Sequence, residues 1–222
     1  MFTRNISEIR KNVKSYEQAW AEETRKALQN QLPIWVVLGD SMSQGIGASE
    51  FQKGWVGQAL NLLHKQKRDY AVINLSRSGA RIKDVLLDQL PALEALNIRP
   101  SIITVLIGSN DLVSFKYRLK LHGNLEKLLD RLPTGTIVGD IFDRPNTPIP
   151  FRSIFAHSSA SNLLFEIAHQ RDLVVVPLDE AFKMPWRNKL AADFYHPNDQ
   201  GYKGIAQAFV KAIQERDSYL KM

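Results

Sequence analysis

Pro33-Ile34-Trp35-Val36-Val37-Leu38-Gly39-Asp40-Ser41 is the stretch that decides how this chain is read. Residues 34–38 are a near-continuous apolar run, as expected of a parallel strand covered on both faces. Pro33 marks the boundary of whatever precedes it. The run ends in Gly39-Asp40-Ser41, so a buried strand hands small polar groups to its carboxyl end. The arrangement recurs downstream. A second strand at 71–75 leads to Ser78-Gly79, and a third at 102–107 leads to Gly108-Ser109-Asn110-Asp111. Fourth and fifth strands are expected at 136–139 and 173–178.

Helical patterns separate these runs. Trp55, Val56, Ala59, Leu60 and Leu63 share one side of a helix over 55–67. Ile82, Val85, Leu86, Leu90, Leu93 and Leu96 form a second stripe, in which Pro91 should kink or restart the helix. Further helices are expected at about 118–132, near 159–170 and over 199–216. Regular alternation of strand and helix implies an α/β fold, with a central parallel sheet of about five strands and helices on both faces. Residues 33–222 read as one domain.

Residues 1–32 read as a long N-terminal helix. Ile6, Ile9, Val13, Tyr16 and Trp20 draw a narrow apolar stripe along it. Such a seam suits packing on its own domain. It also suits a homodimer through the N-terminal helix, or a lid over the site.

The composition excludes several chemistries. Of 222 residues, 44% are hydrophobic and 23% charged, as in an ordinary globular protein. There is no cysteine, which rules out disulfides, thiolate catalysis and cysteine-ligated zinc. The polar N-terminal stretch has no signal-peptide core, and no apolar run approaches the roughly 18 residues of a membrane span. A cytoplasmic protein without a membrane span is the expectation. The net charge of +6 is modest, and no nucleic-acid motif accompanies it. Its one local concentration is Lys116-Tyr117-Arg118-Leu119-Lys120, with His122 and Lys127 beyond. That run reads as a solvated helix face, or as a site near the mouth of the crevice for an anionic substrate group.

The carboxyl ends of parallel strands form one rim, where ligands bind in open α/β sheets. Four polar clusters meet that condition, the last being Asp193-Phe194-Tyr195-His196 ahead of the final helix. A serine hydroxyl attacks at neutral pH only if a neighbouring base takes its proton. Ser41 at a strand-to-turn junction could present such a hydroxyl, and His196 could be the base. Asp193, three residues earlier, could fix the histidine tautomer. Gly79, Asn110 and the Ser41 amide could donate to an oxygen that becomes negative. Singly, each reads as a turn, cap or loop residue, and Asn198 as the N-cap of the last helix. Their joint occurrence, in order, at successive strand ends is what singles them out.

From about residue 34 to residue 209 the chain resembles the GDSL-type, or SGNH, serine hydrolases. Gly39-Asp40-Ser41 resembles the first block, with Met42 where leucine is common, and Gly79 resembles the glycine of the second. Gly108-Ser109-Asn110-Asp111 resembles the third block, and Asp193 to Asn198, leading into Gly201-Tyr202, resembles the fifth. The resemblance implies a three-layer, flavodoxin-like α/β/α fold. It implies hydrolysis of carboxylic ester or thioester bonds on small-molecule, lipid or sugar substrates, with neither cofactor nor metal. It assigns Ser41 as nucleophile, His196 as base, Asp193 as its orienting acid, and Gly79, Asn110 and the Ser41 amide as the oxyanion hole. Phe142, Phe151 and Phe155 would line an acyl pocket or pack in the core. Two other readings stand beside this one. Asp40, Asn110, Asp111 and His196 on one rim also suit a metal-dependent phosphoesterase, and the fold could serve a catalytically silent binding protein.

Overall fold

The computed structural model describes residues 5–113, 115–141, 154–178 and 188–219. Helix α1 (Asn5–Leu28) precedes β1 (Ile34–Gly39), the one-turn helix α2 (Ser41–Gln44) and α3 (Trp55–Lys65). Then come β2 (Ala71–Asn74), α4 (Ile82–Asp84), a π-helical turn (Val85–Gln89) and α5 (Leu90–Ala95). The rest alternates: β3 (Ile102–Leu106), α6 (Phe115–Arg131), β4 (Ile137–Gly139), α7 (Ile154–Gln170), β5 (Val174–Val176) and α8 (Asp199–Tyr219). The five strands are all parallel, in the order β2-β1-β3-β4-β5. This is the expected three-layer α/β/α architecture. The order reverses between β1 and β3, the place where such sheets open a crevice.

Alternation along the strands builds two cores. Val36, Leu38, Ile73, Val105 and Val138 face one way, onto the apolar sides of α4 to α7. Trp35, Val37, Val72, Leu106 and Ile137 face the other way, onto α3 and α8. In the second core Trp55 stacks on Phe209 with ring centroids 4.2 Å apart, and Trp35 leans on Trp55 at 5.9 Å. Trp35 remains fully buried because its indole N–H donates to Thr104 Oγ1 at 2.9 Å. An unpaired buried donor there would cost about 1–3 kcal/mol.

The C-terminal part of the α1 stripe packs within the chain. Helix α1 lies along the edge strand β2, and Tyr16 and Trp20 are buried. The Tyr16 hydroxyl donates to the Ala48 carbonyl at 2.9 Å, and the Trp20 indole N–H to the Gln44 carbonyl at 3.0 Å. Both acceptors lie in the segment that follows Ser41.

Pro91 acts as its ring chemistry requires. It lacks an N–H, and it would press on the carbonyl four residues back in an α-helix. The turn before it widens instead, so that the Leu90 N–H reaches the Val85 carbonyl, five residues away. A new helix, α5, then starts with Pro91 in its first turn.

Candidate active site

Ser41 opens α2 directly after β1, with Asp40 as the N-cap. The Asp40 carboxylate accepts from the Met42 N–H at 2.9 Å, which satisfies one of the exposed donors of that short helix. Ser41 sits just above the Gly39–Leu106 pairing of β1 with β3, so it enters the crevice at the reversal point. Its neighbour Gly39 is clamped. The Gly39 N–H donates to Gln89 Oε1, and Gln89 Nε2 donates back to the Gly39 carbonyl, both at 2.8 Å.

His196 reaches Ser41 from the opposite end of the chain. Its Nε2 lies 2.9 Å from Ser41 Oγ, and its Nδ1 lies 2.6 Å from Asp193 Oδ2. A carboxylate can only accept, so Nδ1 carries the proton and Nε2 presents a lone pair to the serine hydroxyl. Asp193 Oδ1 also accepts the backbone N–H groups of Tyr195 and His196, each at 2.9 Å. The carboxylate therefore both caps its turn and orients the imidazole. That turn places Phe194 at φ 53°, a left-handed conformation that a bulky side chain seldom adopts. Burial pushes the Asp193 carboxyl up, but the His196 ring and the two N–H groups outweigh it and hold the group below its ordinary 3.8.

Gly47 makes room for this loop. At φ 100°, a Cβ placed there would stand 2.4 Å from the Pro197 carbonyl oxygen and 2.6 Å from His196 Cβ. Only glycine lets the serine segment and the histidine loop come this close. Asn198 caps the helix beyond, its Oδ1 accepting the N–H groups of Gln200 and Gly201 at 3.0 Å.

Gly79 and Asn110 stand on the same rim. Gly79 has φ 78°, and the space a Cβ would fill is open. Among the described residues, neither the Ser41 nor the Gly79 N–H has a protein acceptor. Asn110 Nδ2 donates to the Ala80 carbonyl at 2.9 Å and makes a long 3.4 Å contact with Asp40 Oδ2. The Ala80 carbonyl can only accept, which assigns the nitrogen of this amide to that side. The oxygen, Oδ1, receives the Tyr195 hydroxyl at 3.0 Å. Next in the chain, buried Asp111 accepts the Ile82 N–H at 3.1 Å, and burial pushes its carboxyl up to about 6. Asp40, Asn110, Asp111 and His196 share the rim, yet among the described residues no three His, Asp or Glu side chains gather as metal ligands would.

A model of the GDSL-like Lipase/Acylhydrolase family matches residues 37–203, which include every one of these groups. The chain belongs to this family. It is thus a GDSL-like hydrolase of the esterase, lipase and acylhydrolase kind, and solved structures share its fold. It is similar to the lipase/acylhydrolase from Enterococcus faecalis at 21% identity and TM-score 0.69, covering 83% of this chain and 97% of that one. Likeness to the psychrotrophic esterase EstA from Pseudoalteromonas sp., inhibited by monoethylphosphonate, is 21% identity and TM-score 0.66, over 85% and 99% of the two chains. For the Clostridium thermocellum family 3 carbohydrate esterase the values are 18%, 0.65, 85% and 99%. No curated protein matches in sequence. For this GDSL-like hydrolase, Phe142, Phe151 and the Phe155 side chain lie outside the described residues. No helix among those described is long and apolar enough to cross a membrane.

Two participants had escaped the sequence reading. Tyr195 lies inside the fifth block, but no spacing rule ties position 195 to position 110. Gln89 did leave a signal: it is a polar residue between Leu86 and Leu90 on a stripe that is otherwise buried.

Proposed function

We propose that this chain hydrolyses carboxylic esters, and thioesters by the same chemistry, through an acyl-enzyme on Ser41. The observation that carries the reading is the file from Ser41 Oγ through the His196 ring to Asp193, with contacts of 2.9 and 2.6 Å. His196 Nε2 takes the hydroxyl proton as Oγ adds to the substrate carbonyl carbon. Negative charge then develops on the carbonyl oxygen. The Ser41 and Gly79 N–H groups, with the Asn110 amide, are the donors suited to receive it. The imidazolium, steadied by Asp193, returns the proton to the leaving alcohol or thiol as its bond to carbon breaks. Water then adds to the acyl-serine with His196 again as base, which releases the acid and restores Ser41.

The short Ser41–His196 contact supports this order of events, because no rearrangement is needed before the first proton transfer. The test is labelling by a fluorophosphonate together with a panel of p-nitrophenyl esters and acyl thioesters of graded length. Wild type should label and turn over, and Ser41→Ala should do neither while remaining folded. Labelling that persists at Ser43, Ser78 or Ser109 in Ser41→Ala would move the nucleophile elsewhere.

A further inference from the structure

Gly79 and Asn110 are followed closely by Arg81 and Asp111. These two line a cavity of about 280 Å³ with Lys83, Lys116, Tyr117 and Lys120. We propose that this cavity holds an anionic group, a carboxylate or phosphate, carried by the ester substrate; the inference rests on the serine hydrolase reading above.

Charge is the first reason. Four cations converge on the cavity, and the acids nearby are already engaged. Asp111 accepts from the Ile82 N–H, and Asp84 accepts from the Arg81 N–H at 2.8 Å. Asp84 also lies 3.7 Å from Arg81 Nε and 3.9 Å from Lys83 Nζ. Among the described residues Lys116 and Lys120 have no acidic partner. They stand four residues apart on α6, a spacing at which like charges repel. An anion between them turns that repulsion into attraction.

Geometry is the second. The Arg81 guanidinium lies over the Tyr117 ring, 3.9 Å from its centroid. A guanidinium has five N–H donors, so one held against this ring retains donors that a carboxylate or phosphate can accept from. Arg81 Nε is buried with no hydrogen-bond partner. The volume is at the low end for small-molecule sites, enough for a charged group but short for a long acyl chain.

Position is the third. Arg81 is two residues past Gly79, so their Cα atoms are at most about 8 Å apart. The Ala80 carbonyl between them holds the Asn110 amide. A short linker would therefore join a carbonyl at Ser41 to an anion in this cavity.

The experiment compares kcat/KM for matched pairs. On the acyl side, 4-nitrophenyl hemiglutarate is set against 4-nitrophenyl butyrate. On the leaving-group side, 3-acetoxybenzoate is set against 3-acetoxybenzamide. At low salt the anionic member of one pair should be preferred by roughly tenfold or more. The ratio should shrink several-fold in about 0.5 M NaCl and fall toward one in Lys116→Gln/Lys120→Gln. Separately, Ser41→Ala protein should bind inorganic phosphate, measured by titration calorimetry, and the added double substitution should weaken that binding roughly tenfold. A ratio near one on both pairs overturns the subsite, and so does phosphate binding that the double substitution leaves unchanged. If wild type cleaves none of the four esters and takes no fluorophosphonate label, it is the serine hydrolase reading that fails, and the calorimetry still decides the cavity.

Discussion

Tyr195 holds Asn110 by its oxygen, the phenolic O–H donating to Oδ1 at 3.0 Å. The same tyrosine stands edge-on to the His196 ring at 4.9 Å, so one side chain braces both the expected base and an expected oxyanion donor. Tyr195→Phe keeps the ring and loses only the hydroxyl. It should lower kcat roughly tenfold with KM within about twofold, whereas Asn110→Ala should cost about 10²–10³ in kcat. In Tyr195→Phe/Asn110→Ala the two losses should not multiply, because the first acts through the second. Multiplicative losses in steady-state kinetics would detach Tyr195 from Asn110.

Asp193 ties turnover to stability. Its folded carboxyl titrates below the ordinary 3.8, so the unfolded chain takes up this proton first as pH falls. The stabilisation is thus complete above 3.8 and is lost as the pH drops through the lower, folded value. Asp193→Asn should flatten the acid end of a Tm-against-pH curve. At neutral pH it should also slow kcat by several orders of magnitude with binding largely intact, since the imidazolium loses its counter-charge. Steep acid destabilisation that survives in Asp193→Asn would show that other groups carry it.

Asp111 has the opposite sign. Its folded carboxyl titrates near 6 instead of 3.8, so between those values the folded chain holds a proton that the unfolded chain has released. Stability should therefore fall as pH rises from about 4 to 6, by at most roughly 3 kcal/mol from this group. Asp111→Asn retains an acceptor for the Ile82 N–H without the charge. Denaturant midpoints should show it gaining on wild type from pH 4 to pH 7. A constant difference across that range would mean that Asp111 does not titrate there.

Gln89→Met replaces the clamp on Gly39 with an apolar side chain of similar length. The Gly39 carbonyl keeps the Arg77 N–H at 3.2 Å, but the Gly39 N–H is left buried without an acceptor. Chemical denaturation should show a loss of about 1–3 kcal/mol. Ester turnover should fall as well, since Ser41 is two residues from the loosened peptide. Unchanged stability would require another acceptor to have moved in.

The strands were legible because burial on both faces leaves apolar runs such as 34–38 and 102–107 that little else produces. Their polar followers could be placed on one rim from alternation alone, since parallel strands all end on the same side. Ser41 was found this way, and Asp193 and His196 by the acid three residues before a base ahead of the last helix; the structure sets successive members of the three within 2.9 Å. Boundaries drifted at helix starts, which local pattern marks weakly: α6 starts at Phe115, not near 118, and α7 at Ile154, not near 159. Contacts between distant loops left no trace in local pattern. Tyr195 with Asn110, or Trp20 with the Gln44 carbonyl, depend on loop paths that only the folded chain defines. The left-handed Phe194 was equally hidden, because a bulky residue disfavours the conformation its neighbours impose.

The widened turn at Val85–Gln89 has a consequence for how this chain tolerates change in length. It holds one residue more than a regular α-helical turn, and that extra residue sets the angle at which Gln89 meets Gly39. Deleting one residue here would turn the Val85–Leu90 bond into a regular four-residue pairing, so the flanking helices would stay in phase while Gln89, inside the turn, would be re-aimed. Leu87 and Asp88 are exposed, and the Asp88–Arg77 pair at the surface is worth about 1 kcal/mol or less. Both positions should accept nearly any helix-compatible side chain. Removing either altogether would pull the glutamine off the strand end beneath Ser41, a dependence on spacing that a scan of substitutions would never reveal.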